Sequence, residues 1–155
     1  MVTLLVMRHA EKSGDPDDPH ITELGRKRAL ALATYIPAKF GVPDRIYAAA
    51  DSVHSHRPYE TVLPLSDATT VPIDQTFADQ DYGALARQLL EDAQLAAGIW
   101  VICWHHGNIP NLLFSLNAPQ GSYPDPWPRN TFNMILEVSV DVNSVTAVNV
   151  IIEPF

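Results

Sequence analysis

Two short segments, "VTLLVM" at residues 2–7 and "IWVICW" at residues 99–104, constrain the fold most, because they are apolar almost without interruption. A strand with one wet face alternates apolar and polar residues, so an unbroken run of this length belongs to a strand covered on both faces. Neither run reaches the roughly 18 residues a membrane-spanning helix requires. Buried strands of this kind occur in parallel sheets, and a parallel sheet needs a helix at each crossover.

The rest of the chain supplies those helices. In "TELGRKRALALATYI", Leu24, Ala31, Leu32, Tyr35 and Ile36 recur at helical spacing, with Thr22 placed to cap the N-terminus and Glu23 in the first turn. "RIYAAA" at 45–50 reads as a second strand, and Pro58 suits the opening turn of a helix through "RPYETVLPL". "TTVPID" at 69–74 predicts a third strand that Pro72 confines to an edge. Residues 82–97 predict a third helix closed by Gly98, and Asn108 with Pro110 open a fourth that carries Leu112, Leu113 and Leu116. A loop with four prolines spans 118–130, and "FNMILEVSV" and "VTAVNVII" then flank the turn "DVNS" as an antiparallel pair. The order βαβαβαβα followed by ββ predicts a three-layer α/β sandwich: a mostly parallel sheet with helices on both faces and a C-terminal antiparallel strand pair.

A chain of 155 residues is expected to form one domain over 1–155. Its formal charge of −8 argues against nucleic acid and anionic membrane as partners, although a local basic pocket can still take a small anion. Cys103 is the only cysteine, so no internal disulfide forms. With no basic segment leading a cleavable signal, the reading is cytoplasmic. Oligomeric state is not encoded in any pattern here.

The chemistry gathers where strands end. The first runs into Arg8 and His9, the second toward Arg57, and the fourth into His105 and His106. In an open α/β sheet ligands bind beyond the carboxyl ends of the strands, so parallel strands bring these residues to one cleft. Guanidinium forks pair with phosphoryl oxygens bidentately, and imidazoles add further donors. Two fixed positive charges oppose a divalent cation, so neither a metal nor any other cofactor is implied. A neutral imidazole beside arginines is a competent nucleophile. Lys12 lies close enough in sequence to steer an anion, while His20, His54 and His56 read as loop residues.

"RHAEK" after a strand, "HITELGRKRA" opening a helix, "HSHRPYET", and "WHHGNIP" after a strand together resemble the histidine phosphatase superfamily, with its phosphoglycerate mutase-like fold. The resemblance spans nearly the whole chain in order. It implies that His9 is phosphorylated in turnover while Arg8 and Arg57 clamp the phosphoryl oxygens. Trp104, Ile109 and Pro110 then select His106 as the second histidine, whereas the spacing of other branches selects His105. The chain departs from the common pattern before Arg57, where "AADSVHSHRPYET" stands in place of Ser-Ser-Pro and Arg-x-x-Gln-Thr. It departs again around the proton donor, for which "FADQDYG" offers Asp79 and Asp81.

The activity implied is metal-independent hydrolysis of phosphate monoesters or related phosphorylated compounds, with a small phosphorylated molecule or a phosphoprotein as substrate. A phosphoryl mutase and a binding module without turnover are the alternatives. The short chain, with little to build a lid, disfavours the mutase.

Overall fold

The computed structural model describes residues 1–142 and 144–155. Six strands form one sheet: β1 (Val2–Arg8), β2 (Arg45–Ala48), β3 (Ile73–Asp74), β4 (Gly98–Trp104), β5 (Met134–Asp141) and β6 (Ser144–Ile152). Their order across the sheet is β3-β2-β4-β1-β5-β6. The first four run parallel, and β5 is antiparallel to both β1 and β6. Four helices connect them: α1 (Glu23–Lys39), α2 (Arg57–Thr69), α3 (Tyr82–Ala93) and α4 (Ile109–Ser115). The expected three-layer α/β sandwich is the observed one. The turn "DVNS" includes Asn143, which lies outside the described residues.

Strand alternation explains why the two runs are apolar throughout. Val2, Leu4 and Val6 of β1, with Trp100, Ile102 and Trp104 of β4, pack on Leu85 and Leu89 of α3 and on Leu112, Leu113 and Leu116 of α4. Leu5, Met7, Val101 and Cys103 point the other way, onto Leu32 and Ile36 of α1 and Val62 and Leu65 of α2. Each fully buried aliphatic side chain contributes about 1.5–3 kcal/mol, so neither face tolerates a polar residue. Cys103 is fully buried, and burial pushes its thiol far above the usual range, which leaves it inert.

Several local expectations change in the folded chain. The buried stripe of α1 is Gly25, Ala29, Leu32 and Ile36; Leu24 is exposed, and Ala31 and Tyr35 are only partly covered. Thr22 does cap α1, its hydroxyl accepting from Gly25 N at 3.1 Å. The strand after α2 shrinks to two residues at the sheet edge, because α2 continues to Thr69 and Thr70 closes it in the left-handed region. The β2 ladder stops at Ala48, two residues short of Ala50.

Helix α3 ends at Ala93, not at 97, and Gly98 begins β4 with φ of +114° instead of capping the helix. There a β-carbon would overlap the carboxylate of Asp44, which accepts the Ile99 N–H at 3.0 Å. Gly98→Ala is therefore expected to lower unfolding stability by about 2 kcal/mol or more, from left-handed strain and the displaced carboxylate together. A shift of the urea midpoint at unchanged slope measures it.

Candidate active site

Backbone pairing brings the first and fourth strand ends together. Arg8 lies opposite Trp104 in the parallel ladder, and the His9 N–H continues it by donating to the Trp104 carbonyl at 3.0 Å. The residues that follow, His9 and His105, therefore leave the sheet side by side. Their rings meet edge-on with centroids 5.3 Å apart.

His9 is 2% exposed. Its Nδ1 lies 2.7 Å from the Ala10 carbonyl, and since a carbonyl only accepts, Nδ1 carries the proton. Nε2 is then the basic nitrogen. Burial first, opposed by the Ala10 hydrogen bond and reinforced by His105, Arg8 and Arg57, holds the ring's pKa far below its usual value. The ring is neutral at physiological pH, with one tautomer fixed.

Arg8 is buried at the same rim, with its guanidinium 4.0 Å from the centre of the Phe132 ring and Nη1 donating to the Arg129 carbonyl at 2.6 Å. Burial, then the neighbouring charge of Arg57, lowers its pKa to about 10, so it remains charged. Arg57 opens α2 and donates from Nη1 to the Asp18 carbonyl at 2.9 Å. Burial is the main cause of its lowered pKa, which Asp18 and Glu60 partly offset. The Nε groups of Arg8 and Arg57 are both buried without a hydrogen-bond partner among the described residues. Orphan guanidinium donors at one rim are costly unless an anion satisfies them.

Other residues of the quoted motifs hold this arrangement. Gly25 lets the backbone of Glu11 approach so closely that a β-carbon would stand 2.8 Å from the Glu11 carbonyl. Thr22 N donates to that carbonyl, and Arg28 grips the Glu11 carboxylate with two hydrogen bonds of 2.8 and 3.1 Å while also binding Glu153. The Thr-x-x-Gly-x-x-Arg spacing thus serves to fix the loop just beyond His9. Thr61, one turn after Arg57, accepts from Ala10 N at 2.8 Å and donates to the Arg57 carbonyl at 2.7 Å, which ties His9 to the helix bearing Arg57.

The two adjacent histidines separate. His105 stands against His9, and burial followed by the charges of Arg57, Arg8 and Lys12 lowers its pKa to about 4. His106 instead lines an open cleft with Trp127 and Arg129, and its lowered pKa owes most to burial, then to Arg8 and Lys12. Of the two possible acids, Asp81 is exposed and accepts the Ala78 N–H. Asp79 is half-buried; its carboxyl pKa is raised by burial, an effect that Asn108 and His106 oppose. Asp79 Oδ1 has no hydrogen-bond partner among the described residues. Its carbonyl is held by Trp104 Nε1 at 3.1 Å and Asn108 Nδ2 at 3.3 Å, so Asn108 braces Asp79 and leaves α4 without a side-chain cap.

His54 is exposed to solvent, while His56 stacks on His20 and pairs with Asp51, and His20 pairs with Glu60. Sequence reasoning passed over Phe132 and Arg129, both supplied by the end of the proline-rich loop. Among the described residues no group of three His, Cys, Asp or Glu side chains is placed to hold a metal, and no helix is long and apolar enough to cross a membrane.

The class this architecture defines is an α/β sandwich with an arginine- and histidine-lined cleft at the carboxyl rim of its parallel strands. No family model matches the sequence, and no curated protein does. Solved structures place the fold more narrowly. The protein histidine phosphatase SixA, in complex with tungstate, superposes with a TM-score of 0.71 at 17% identity, covering 95% of this chain and 94% of that one. YhfR of Bacillus stearothermophilus gives 0.63 at 18% identity over 95% of each chain. A phosphoserine phosphatase from Entamoeba histolytica, in complex with 3-phosphoglyceric acid, gives 0.62 at 15% identity, covering 96% of this chain and 97% of that one. The fold is the phosphoglycerate mutase-like fold of the histidine phosphatases, as the motifs led one to expect.

Proposed function

We propose that this chain is a metal-independent phosphatase that works through a phosphohistidine at His9. The carrying observation is the His9 ring: neutral, locked by Ala10 with Nε2 as its basic nitrogen, and within electrostatic reach of two arginines with unsatisfied donors. The similarity in fold to several phosphatases supports the reading.

In the proposed cycle Nε2 attacks phosphorus as the bond to the leaving oxygen breaks, and Asp79 passes its proton to that oxygen. Arg8, Arg57 and His105 stabilise charge on the equatorial oxygens. Water then attacks the phosphohistidine and gives its proton to the Asp79 carboxylate; phosphate departs and both side chains are restored. His105 takes the phosphate-side role because it is the imidazole packed on His9. His106 lines the open cleft within electrostatic reach of Asp79 and contributes less. The substrate is a small phosphorylated molecule or a phosphoprotein, and the reaction needs no cofactor.

Hydrolysis of p-nitrophenyl phosphate tests the reading, with turnover lost in the presence of vanadate and retained in chelator. In that assay His105→Ala is expected to lower kcat/KM by on the order of 10²-fold, and His106→Ala by less than about tenfold. Absence of turnover in the wild type, or the reverse ranking of the two variants, overturns the corresponding part.

Asp79 is tested by changing the leaving group. A general acid typically contributes about 10²- to 10⁴-fold, and only where the leaving oxygen needs a proton. Asp79→Asn is therefore expected to cost about 10²-fold or more on an alkyl phosphate and under tenfold on p-nitrophenyl phosphate. Burial raises the Asp79 pKa, so the required acid form persists to higher pH than for an ordinary carboxyl and is lost as pH rises through that value. Alkyl phosphate hydrolysis should show this basic limb, and Asp79→Asn should remove it.

A further inference from the structure

We infer that Glu153, the residue directly after β6, is a positioning residue for His9, acting through Arg28 and Glu11 on the backbone that orients the ring. Its catalytic meaning rests on the phosphatase reading above; its effect on the His9 ring does not.

Glu153 is the one buried carboxylate among the described residues, with a side chain 1% exposed. Taking a carboxylate out of water is costly, and a buried ion pair is weak support for stability, because apolar residues of similar size often serve as well. Arg28 has no need of it for charge balance. Its Nε and Nη2 already meet both carboxylate oxygens of Glu11, at 2.8 and 3.1 Å. Glu153 Oε1 takes the remaining Nη1 at 2.9 Å, beside the Phe155 carbonyl at 2.7 Å. The guanidinium is a rigid planar fork, so acceptors on both of its sides fix its plane.

What that plane holds lies beside the reacting ring. Glu11 is two residues past His9, and its carbonyl accepts from Thr22 N at 2.8 Å and from the Thr22 hydroxyl at 3.3 Å. Between Glu11 and His9 sits Ala10, whose carbonyl accepts from His9 Nδ1 at 2.7 Å and so sets the tautomer. The peptide that orients the ring is thus held on one side by the His9 N–H on Trp104 and on the other by Arg28. The Glu153 backbone is anchored elsewhere: its N–H donates at 2.7 Å to the carbonyl of Asn133, next to Phe132, the ring on which Arg8 packs. One residue therefore sets the His9 loop against the wall that carries Arg8.

Burial, opposed by Arg28 and reinforced by Glu11, raises the Glu153 pKa to about 7. The inert Cys103 thiol also lies within its electrostatic reach. A carboxyl oxygen accepts an N–H whether or not its neighbour carries a proton, so the hold on Arg28 persists through that pH. Glutamine keeps the Oε1 acceptor and is the conservative replacement.

Nitrogen-15 spectra of the His9 ring test this without substrate. The wild type is expected to show one tautomer, protonated at Nδ1, with no titration as pH falls from about 7 to 5. In Glu153→Ala the loop loosens and water reaches the ring, so titration should enter that window. His105, Arg8 and Arg57, the titratable and charged groups facing the ring, are unchanged by the variant, so the rise reports lost burial. Glu153→Gln should match the wild type. On p-nitrophenyl phosphate, Glu153→Ala is expected to lower kcat by about 10- to 10²-fold with KM within about threefold, and Glu153→Gln to restore kcat to within about threefold. A loss of stability alone would reduce the folded fraction without moving the His9 signals of folded chains. Should Glu153→Ala not fold, Glu153→Asp, which withdraws the acceptor and keeps the charge, should move the same signals in the same direction by less. Added to Arg28→Met, Glu153→Ala should cost nothing further, because the two act in series. Wild-type His9 spectra in the alanine and aspartate variants, a loss that glutamine does not recover, or additive losses with Arg28→Met overturn the positioning role. A chain whose His9 spectra respond as expected but which hydrolyses nothing keeps that role and loses only the phosphatase reading.

Discussion

His9→Ala is expected to abolish phosphatase turnover, lowering kcat by on the order of 10⁵-fold or more, because it removes the nitrogen to which the phosphoryl group is proposed to transfer and no neighbour can replace it. His105 is the only other imidazole packed against that ring among the described residues, and it meets the ring edge-on with centroids 5.3 Å apart. The variant should still bind phosphate, since the guanidiniums of Arg8 and Arg57 are untouched. Rapid quench of the wild type with labelled substrate is expected to trap one labile phosphoryl group per chain, stable to base and lost in acid, and none in the variant. The pH behaviour follows from the same environment. An unperturbed histidine near pH 6.5 would impose an acid limb there. His9 is held far below that value and His105 near 4, so both rings stay unprotonated as pH falls through 6. Once the ionisation of the substrate itself is allowed for, wild-type kcat/KM on p-nitrophenyl phosphate should show no loss as pH falls from about 7 to 5. A sharp fall centred near 6.5, or labelling that persists in His9→Ala, would contradict the assignment.

How much of this was legible in the sequence varies with the kind of information involved. Unbroken apolar runs reported β1 and β4 directly, since burial on both faces leaves no polar position, and their common direction forced Arg8, His9 and His105 to one rim. The ring facing His9 was not legible. Neighbouring residues leave a strand on opposite sides, so choosing His105 over His106 depends on the Arg8–Trp104 register, which is set by pairing between segments almost a hundred residues apart. Asp79 was visible only as one of two carboxyls. Its distinction from Asp81 lies in desolvation, a tertiary property, whereas Asp81 is spent locally on the Ala78 N–H. Arg129 and Phe132 come from a loop rich in proline, where no periodicity reveals direction. The exposed Leu24 shows the opposite error: helical spacing identified α1 but not its inward face, which Gly25 sets by admitting the Glu11 backbone.

Arg57→Ala is expected to lower kcat/KM by on the order of 10³- to 10⁵-fold, the range associated with losing an arginine that meets transition-state charge in phosphoryl transfer. Before Arg57 the chain departs from the pattern it resembles, and three features of the fold fix where Arg57 lies. Arg57 is the first residue of α2, its Nη1 is held by the Asp18 carbonyl, and Thr61 in the next turn binds Ala10 directly after His9. The guanidinium is thus positioned from two sides, and its charge is among those that depress both His9 and His105. Removing it should relieve that pressure and raise the proton affinity of both rings, so the variant's residual activity should decline with acid at higher pH than the wild type's. Arg57→Lys separates charge from geometry. A lysine restores the positive charge without the planar fork, and bidentate contact to two equatorial oxygens is lost. Charge alone should recover part of the pH profile while kcat stays depressed by about 10²-fold. Full recovery with lysine would show that Arg57 acts as a distant field, and an alanine variant with near wild-type turnover would show that it does not meet the phosphoryl group at all.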